Sequence, residues 1–191
     1  AIFVTEQTAE LKQQKTTAAQ DRRLQMLSGI SMFAKLSDDE RDALAGALRY
    51  APFAAGETMT KQGAKAHWLY IIATGGASVR VAIDGEGQQE VARLKAGDFF
   101  GERSLLTGDP RSATVVAMTR VECWRLDRAA FQELLTRRPE IADEVAEVLA
   151  ARATDLERAR ENLGAEAAMR RAAETKTDLV DKIRRFFRVD A

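Results

Sequence analysis

Phe99-Phe100-Gly101-Glu102-Arg103-Ser104-Leu105-Leu106-Thr107-Gly108-Asp109-Pro110-Arg111-Ser112-Ala113-Thr114 carries most of what this chain reveals about itself. A Gly-Glu pair stands nine residues ahead of an Arg-Ser-Ala, with an apolar Leu105-Leu106 step and a Gly-Asp-Pro turn between them. One carboxylate, one guanidinium and a run of free backbone amides are thereby folded around a small space. That inventory suits a small, singly charged phosphate ester joined to a sugar with a free hydroxyl.

Each residue type has a chemical reason to be there. A ring-closed nucleotide phosphate carries one negative charge, so one Arg fork plus amides is enough, whereas a triphosphate would need a Lys, Mg²⁺ and a P-loop. The chain has no G-x-x-x-x-G-K-[ST], and the dinucleotide fingerprint fails because Glu90 stands where the third Gly belongs after Gly85 and Gly87. Arg111 is therefore the candidate phosphate ligand. Glu102–Leu106 can form a short helical turn whose first amides lack intrahelical partners, and Gly101 lets the backbone approach closely. Glu102, acceptor-only when ionised, can take a hydrogen bond from a ribose 2′-hydroxyl and balance part of the Arg111 charge. Either residue alone reads as a surface ion pair of little energetic worth. The whole ordered set, placed late in a glycine-punctuated β region, makes the motif specific.

Outward from this stretch, the chain changes character twice. Residues 5–23 are polar and rich in Gln, Thr, Lys and Ala, fitting a solvated helix or linker. Ser37-Asp38-Asp39-Glu40 is a capping-box pattern ahead of Leu44 and Leu48, which predicts a helix over about 38–48. From Tyr50 onward, Gly56, Gly63, Gly75-Gly76, Asp84-Gly85, Gly87 and Gly97 cut the chain into short runs such as Trp68–Ile72 and the alternating Ala77–Val81. That punctuation predicts an antiparallel sandwich or barrel, with a hairpin at Asp84–Gly87. Ala113–Met118 and Val121–Leu126 supply two further strands, and Asp127 is placed to cap the helix carrying Phe131, Leu134 and Leu135. Pro139 opens a long amphipathic helix through Ile141, Val145, Leu149, Leu156 and Leu163. Arg152 and Ala159 interrupt its leucine seam, so packing on its own domain is preferred to a self-associating coil. Beyond Gly164, Ile183-Arg184-Arg185-Phe186-Phe187-Arg188 carries a Phe pair that either docks on a partner or folds back.

Composition limits the partners. The 191 residues hold 46% apolar content, enough for one core with helical arms. The 29 basic and 29 acidic side chains cancel, so no global field favours nucleic acid or anionic lipid. Cys123, the single cysteine, has no disulfide partner and reads as a small buried apolar residue in a reduced compartment. No run reaches the length of a membrane span and no leader opens the chain, so this fragment is expected to be soluble, without direct membrane insertion. Its start at Ala1, with no Met, is expected of a fragment of something longer or of a processed chain. His67, the single histidine, stands beside an apolar run as a strand-edge residue rather than a general base, and nothing completes a triad or a metal site. The chain reads as a binding protein, not an enzyme.

The residues from Phe99 to Thr114 resemble the phosphate-binding cassette of the cyclic nucleotide-binding domain family. The resemblance spans about residues 28–163, following a connector at 1–27 and preceding a helical tail at 164–191. It implies a mainly β fold: an eight-stranded antiparallel, jelly-roll-like β-roll with N-terminal helices and C-terminal lid helices. It also implies that the matching Arg111 binds the cyclic phosphate of cAMP or cGMP, as a ligand rather than a cofactor, and that the matching Glu102 binds the ribose. Phe100, Gly101, Arg103, Ser104, Ser112 and Ala113 complete the candidate nucleotide site, Gly101, Ser104 and Ala113 matching positions whose backbones line the phosphate. Ser112 stands where the family carries Ala, Ser or Thr, which leaves cAMP against cGMP open. Arg103 departs from the small or apolar residue usual after the Glu. In the family the final helices close over the base, making the helix after Pro139 the candidate lid.

The stretch after Gly164 is too short for a helix-turn-helix, which disfavours transcriptional control, and kinase regulatory subunits usually carry two such domains. More weakly, A-I-F-V-T-E, the polar connector and I-R-R-F-F-R-V resemble the cytosolic C-terminal part of bacterial channels related to the small-conductance mechanosensitive family. That context implies an upstream pore, homo-oligomers formed through it, and a domain on the cytoplasmic side of the inner membrane. The alternatives are a regulatory or interaction module with a vestigial pocket, and a cyclic nucleotide-responsive regulator lacking its DNA-binding module.

Overall fold

The computed structural model describes residues 17–83, 87–161, 176 and 178–187. The backbone divides into two units, residues 1–48 and 49–191. In the first, a helix over 17–28 (α1) leads through a 3₁₀ turn, Ser31–Phe33, to α2 (Asp38–Ala47). The capping box forms as its residues specify: Ser37 Oγ accepts from the Glu40 amide at 3.3 Å, and Glu40 Oε2 accepts from the Ser37 amide at 2.8 Å. Arg23 Nη1 donates to the Ala45 carbonyl at 3.3 Å and Arg41 Nη1 to Ser28 Oγ at 3.3 Å, cross-linking α1 and α2. Of the polar connector, residues 17–23 are helical and the earlier ones lie outside the described residues.

The second unit is an antiparallel β-roll. Its strands are β1 (Arg49–Phe53), β2 (Thr58–Thr60), β3 (Trp68–Thr74), β4 (Gly76–Ile83), β5 (Gly87–Lys95), β6 (Phe99–Phe100), β7 (Thr114–Ala117) and β8 (Val121–Asp127). They form two four-stranded sheets ordered β1-β8-β3-β6 and β2-β7-β4-β5. Alternate residues of β3 and β8 send Tyr70, Ile72, Val121 and Cys123 inward to meet Met59, Ala77, Phe100, Val115 and Ala117. Tyr70 stacks on Phe100 at 5.0 Å and 7°. Burial of each such large side chain contributes about 1.5–3 kcal/mol. Burial also pushes the Cys123 thiol up to about 12, so it is an inert core residue.

The antiparallel roll with flanking helices agrees with the expected fold class. β4 and β5 pair from Gly76↔Lys95 to Ile83↔Gly87, while the turn at 84–86 lies outside the described residues. β1 has no counterpart in the sequence-based reading. It contains Pro52, which cannot donate to a ladder, and it occupies an edge of its sheet, where that is tolerated.

Helices close the roll. α3 (Glu102–Thr107) follows β6 after one residue, and Asp127 caps α4 (Arg128–Arg137) by accepting from the Ala130 amide at 2.9 Å. α5 (Ile141–Glu161) buries Ile141, Val145 and Leu149, the stripe its spacing predicts; the Leu156 side chain and Leu163 lie outside the described residues. A last helix over 178–187 (α6) buries Leu179, Ile183 and Phe187. Of the two fates open to the Phe pair, the structure shows the fold-back: the Arg128 guanidinium lies 3.5 Å from the Phe186 ring centroid. Among the described residues, no helix is long and apolar enough to cross a membrane.

Candidate functional site

One cavity of about 210 Å³ draws its polar groups from three pieces of chain separated in sequence. The β6–α3 junction supplies one wall, the segment entering β7 a second, and α5 a third. Gly101, the residue before α3, has φ +85° and offers no side-chain cap. A Cβ there would collide with the Arg111 guanidinium and lie 2.8 Å from the Trp68 carbonyl oxygen, so both the backbone conformation and the space require glycine.

Arg111 is positioned by main chain throughout. Its amide donates to the Ala64 carbonyl at 3.0 Å and its own carbonyl accepts from Gly63 at 2.8 Å. Its guanidinium, in a residue only 4% exposed, donates from Nη1 to the Gly101 carbonyl at 2.6 Å and from Nη2 to the Trp68 carbonyl at 2.7 Å. Nε is buried with no hydrogen-bond partner. Burial pushes its pKa down, opposed by Tyr70 and by the Glu102 carboxylate. An arginine stays cationic regardless, so the roll holds a fixed positive charge under its surface.

Glu102 is the first residue of α3 and 7% exposed. Its Oε1 accepts from Arg152 Nη1 at 2.9 Å, while Oε2 is buried without a partner. Arg152 reaches in from α5; the same Nη1 donates to the Phe99 carbonyl at 2.7 Å, and the guanidinium lies 4.2 Å from the Phe99 ring centroid. A buried acceptor and a buried donor without partners cost free energy unless something else satisfies them. Here both belong to side chains that line the same cavity.

All eight candidate residues, Phe100, Gly101, Glu102, Arg103, Ser104, Arg111, Ser112 and Ala113, line this cavity. Arg103 Nε lies 3.5 Å from Asp109 Oδ2, so the unusual residue after Glu102 braces its own loop. The remaining wall is apolar: Val79 of β4, Val91 and Leu94 of β5, Val115 of β7 and Leu149 of α5. None of these is assigned to the site by sequence: Val79 belongs to the alternating Ala77–Val81 run and Leu149 to the apolar stripe of the lid helix, but neither pattern marks a cavity wall. Arg152 stands on the candidate lid helix, but its sequence spacing does not single it out as the residue that enters the site. Its signal was a charged group on the apolar seam between Leu149 and Leu156. His67 is exposed just before β3 and does not line the cavity, and among the described residues no set of His, Cys, Asp and Glu is placed to hold a metal.

Residues 51–138 match the family model of the cyclic nucleotide-binding domain. This segment is a cyclic nucleotide-binding domain. Among curated proteins, the chain is 35% identical over 121 residues to the cAMP-dependent protein kinase regulatory subunit of Dictyostelium discoideum, covering 63% of this chain and 37% of that one. It is 34% identical over 114 residues to the cGMP-dependent protein kinase egl-4 of Caenorhabditis briggsae, covering 59% and 15%. Among solved structures, a cyclic nucleotide-binding domain from Methylobacillus flagellatus aligns with TM-score 0.61 and 27% identity, over 73% of this chain and 81% of that one. The chain thus spans little more than a third of the Dictyostelium subunit and less of the nematode kinase.

Proposed function

We propose that this chain is the sensing part of a regulator, binding one cAMP or cGMP between Arg111 and Glu102 and passing the event to α5. The observation that carries this is the pair of unsatisfied buried atoms, Arg111 Nε and Glu102 Oε2, in side chains lining one cavity. The cyclic phosphate would meet the Arg111 fork, and the ribose hydroxyl would donate to Glu102 Oε2. Because Oε1 already holds Arg152, a hydroxyl on Oε2 joins the ligand to α5 through a single carboxylate without breaking the existing pair. The apolar wall would cover the base. The kinase relatives named for cAMP and for cGMP support the ligand class without choosing between the two.

For the controlled element, an upstream ion channel of a bacterial inner membrane, with this domain on the cytoplasmic side, is the context we favour, on the A-I-F-V-T-E opening, the polar connector and the I-R-R-F-F-R-V ending alone. A protein kinase partner is the second reading, favoured by the curated relatives. Isothermal titration with cAMP, cGMP and 5′-AMP tests the binding. One site for at least one cyclic nucleotide, with 5′-AMP weaker, is expected; no heat with either at millimolar concentration would mark the pocket as vestigial, and conversion of the nucleotide during the titration would mark an enzyme.

A further inference from the structure

Helix α3 has six residues, and the residues flanking it are glycines: Gly101 at φ +85° and Gly108 at φ +73°, with no side-chain cap at the start. A helix this short does not hold itself together in water, since its few hydrogen bonds do not offset the backbone entropy of fixing a turn. What packs against its two ends therefore sets its geometry. At the leading end stand Arg111 and the cavity. At the trailing end stands α6, because a Cβ built on Gly108 would fall 2.8 Å from the Phe186 ring. Only glycine lets the ring close onto that turn.

Phe186 is held there from two sides. Arg128 of α4 lies over the ring and donates from Nη2 to the Phe186 carbonyl at 3.3 Å, a cation–π contact with a hydrogen bond added. Phe187, buried, packs edge-on against Phe186 at 5.3 Å. Further along, Arg184 pairs with Asp143 at 3.2 Å and Lys176 with Glu147 at 2.6 Å, so the basic side chains beside α6 grip the first half of α5. The tail thus touches both elements that meet at the sugar end of the cavity: α3, which carries Glu102, and α5, which carries Arg152.

We infer that α6 is the output strap of the nucleotide site: ligand at Arg111 and Glu102 and the Phe186 ring at Gly108 both need the same ordered α3, so each strengthens the other. This rests on the binding proposed above. The entropy of ordering α3 is spent once, by whichever partner arrives first, and the second then binds more tightly. Linkage makes the effect reciprocal: the factor by which nucleotide tightens α6 is the factor by which docked α6 tightens nucleotide.

Hydrogen exchange and calorimetry on the full 191-residue chain test this together. Saturating cAMP or cGMP is expected to slow exchange of the 178–187 amides about fivefold or more, and Phe186→Ala and Arg128→Gln are each expected to weaken nucleotide binding by a similar factor. Both residues lie outside the cavity lining, and Phe186 is only half-buried, so neither substitution removes a ligand contact. Nucleotide binding with equal Kd in wild type and both variants, with α6 exchange unmoved, would overturn the strap and leave the binding site standing. Absence of binding in wild type would overturn the site and the strap with it.

Discussion

The two ends of the cavity are built by different means. At the phosphate end, Arg111 is gripped by backbone: two carbonyls on its guanidinium and two main-chain bonds beside it, all from the roll. At the sugar end, Glu102 is held by a side chain, Arg152, which is about one-third exposed and stands on a different helix. Main-chain carbonyls have no rotamers to change, whereas an ion pair between side chains of two helices, its arginine about one-third exposed, can move with either helix. The difference separates two tasks. A preorganised cation delivers affinity, because little reorganisation accompanies binding. A carboxylate shared between ligand and α5 delivers a response, because ligand then favours one placement of the helix over another.

Substitutions at the two ends should therefore behave differently. Arg111→Ala is the largest: nucleotide affinity is expected to fall by about 2–4 kcal/mol in calorimetry, with the far-ultraviolet spectrum retained. Unchanged affinity would remove Arg111 from the site. Glu102→Ala should cost less, about 1–2 kcal/mol, and should narrow the preference for ribose over 2′-deoxyribose ligands; a mutant that discriminates as sharply as wild type would assign the sugar elsewhere. Arg152→Ala should change affinity by under about 1 kcal/mol yet abolish the ligand-dependent change in α5 hydrogen exchange, and a retained α5 response would dissolve the contrast between the ends. Smallest of all, Cys123 should stay unreactive toward thiol reagents at neutral pH with or without ligand. Its thiol is raised to about 12 from an ordinary value of 9.0, so the native state loses stability relative to the unfolded chain as pH rises through that interval. Rapid labelling of the native protein at neutral pH would show that the roll opens where it is drawn closed.

The cassette is legible in the sequence because its residues lie close together and each type has one chemical use: glycine for approach, carboxylate for a hydroxyl, guanidinium for a phosphate. Ser37 and Asp127 are legible for the same reason, since a cap is a bargain struck within four residues. What escapes is set by distance along the chain. Arg111 finds its second carbonyl 43 residues away at Trp68, and Arg152 finds Glu102 across 50 residues; no local spacing encodes either meeting. The edge strand β1 escapes for another reason: it carries Pro52, and it does not show the apolar alternation that reveals a strand packed on both neighbours. The fate of Phe186 and Phe187 likewise depended on Arg128 and Gly108, far earlier in the chain.

The most direct test of the central claim is a crystal structure of the chain with cAMP or cGMP bound. The account predicts the cyclic phosphate within hydrogen-bond distance of the Arg111 guanidinium and the ribose 2′-hydroxyl on Glu102 Oε2, with Arg152 still on Oε1. Nucleotide bound elsewhere, or bound in the cavity with Arg111 turned away from the phosphate, would contradict it.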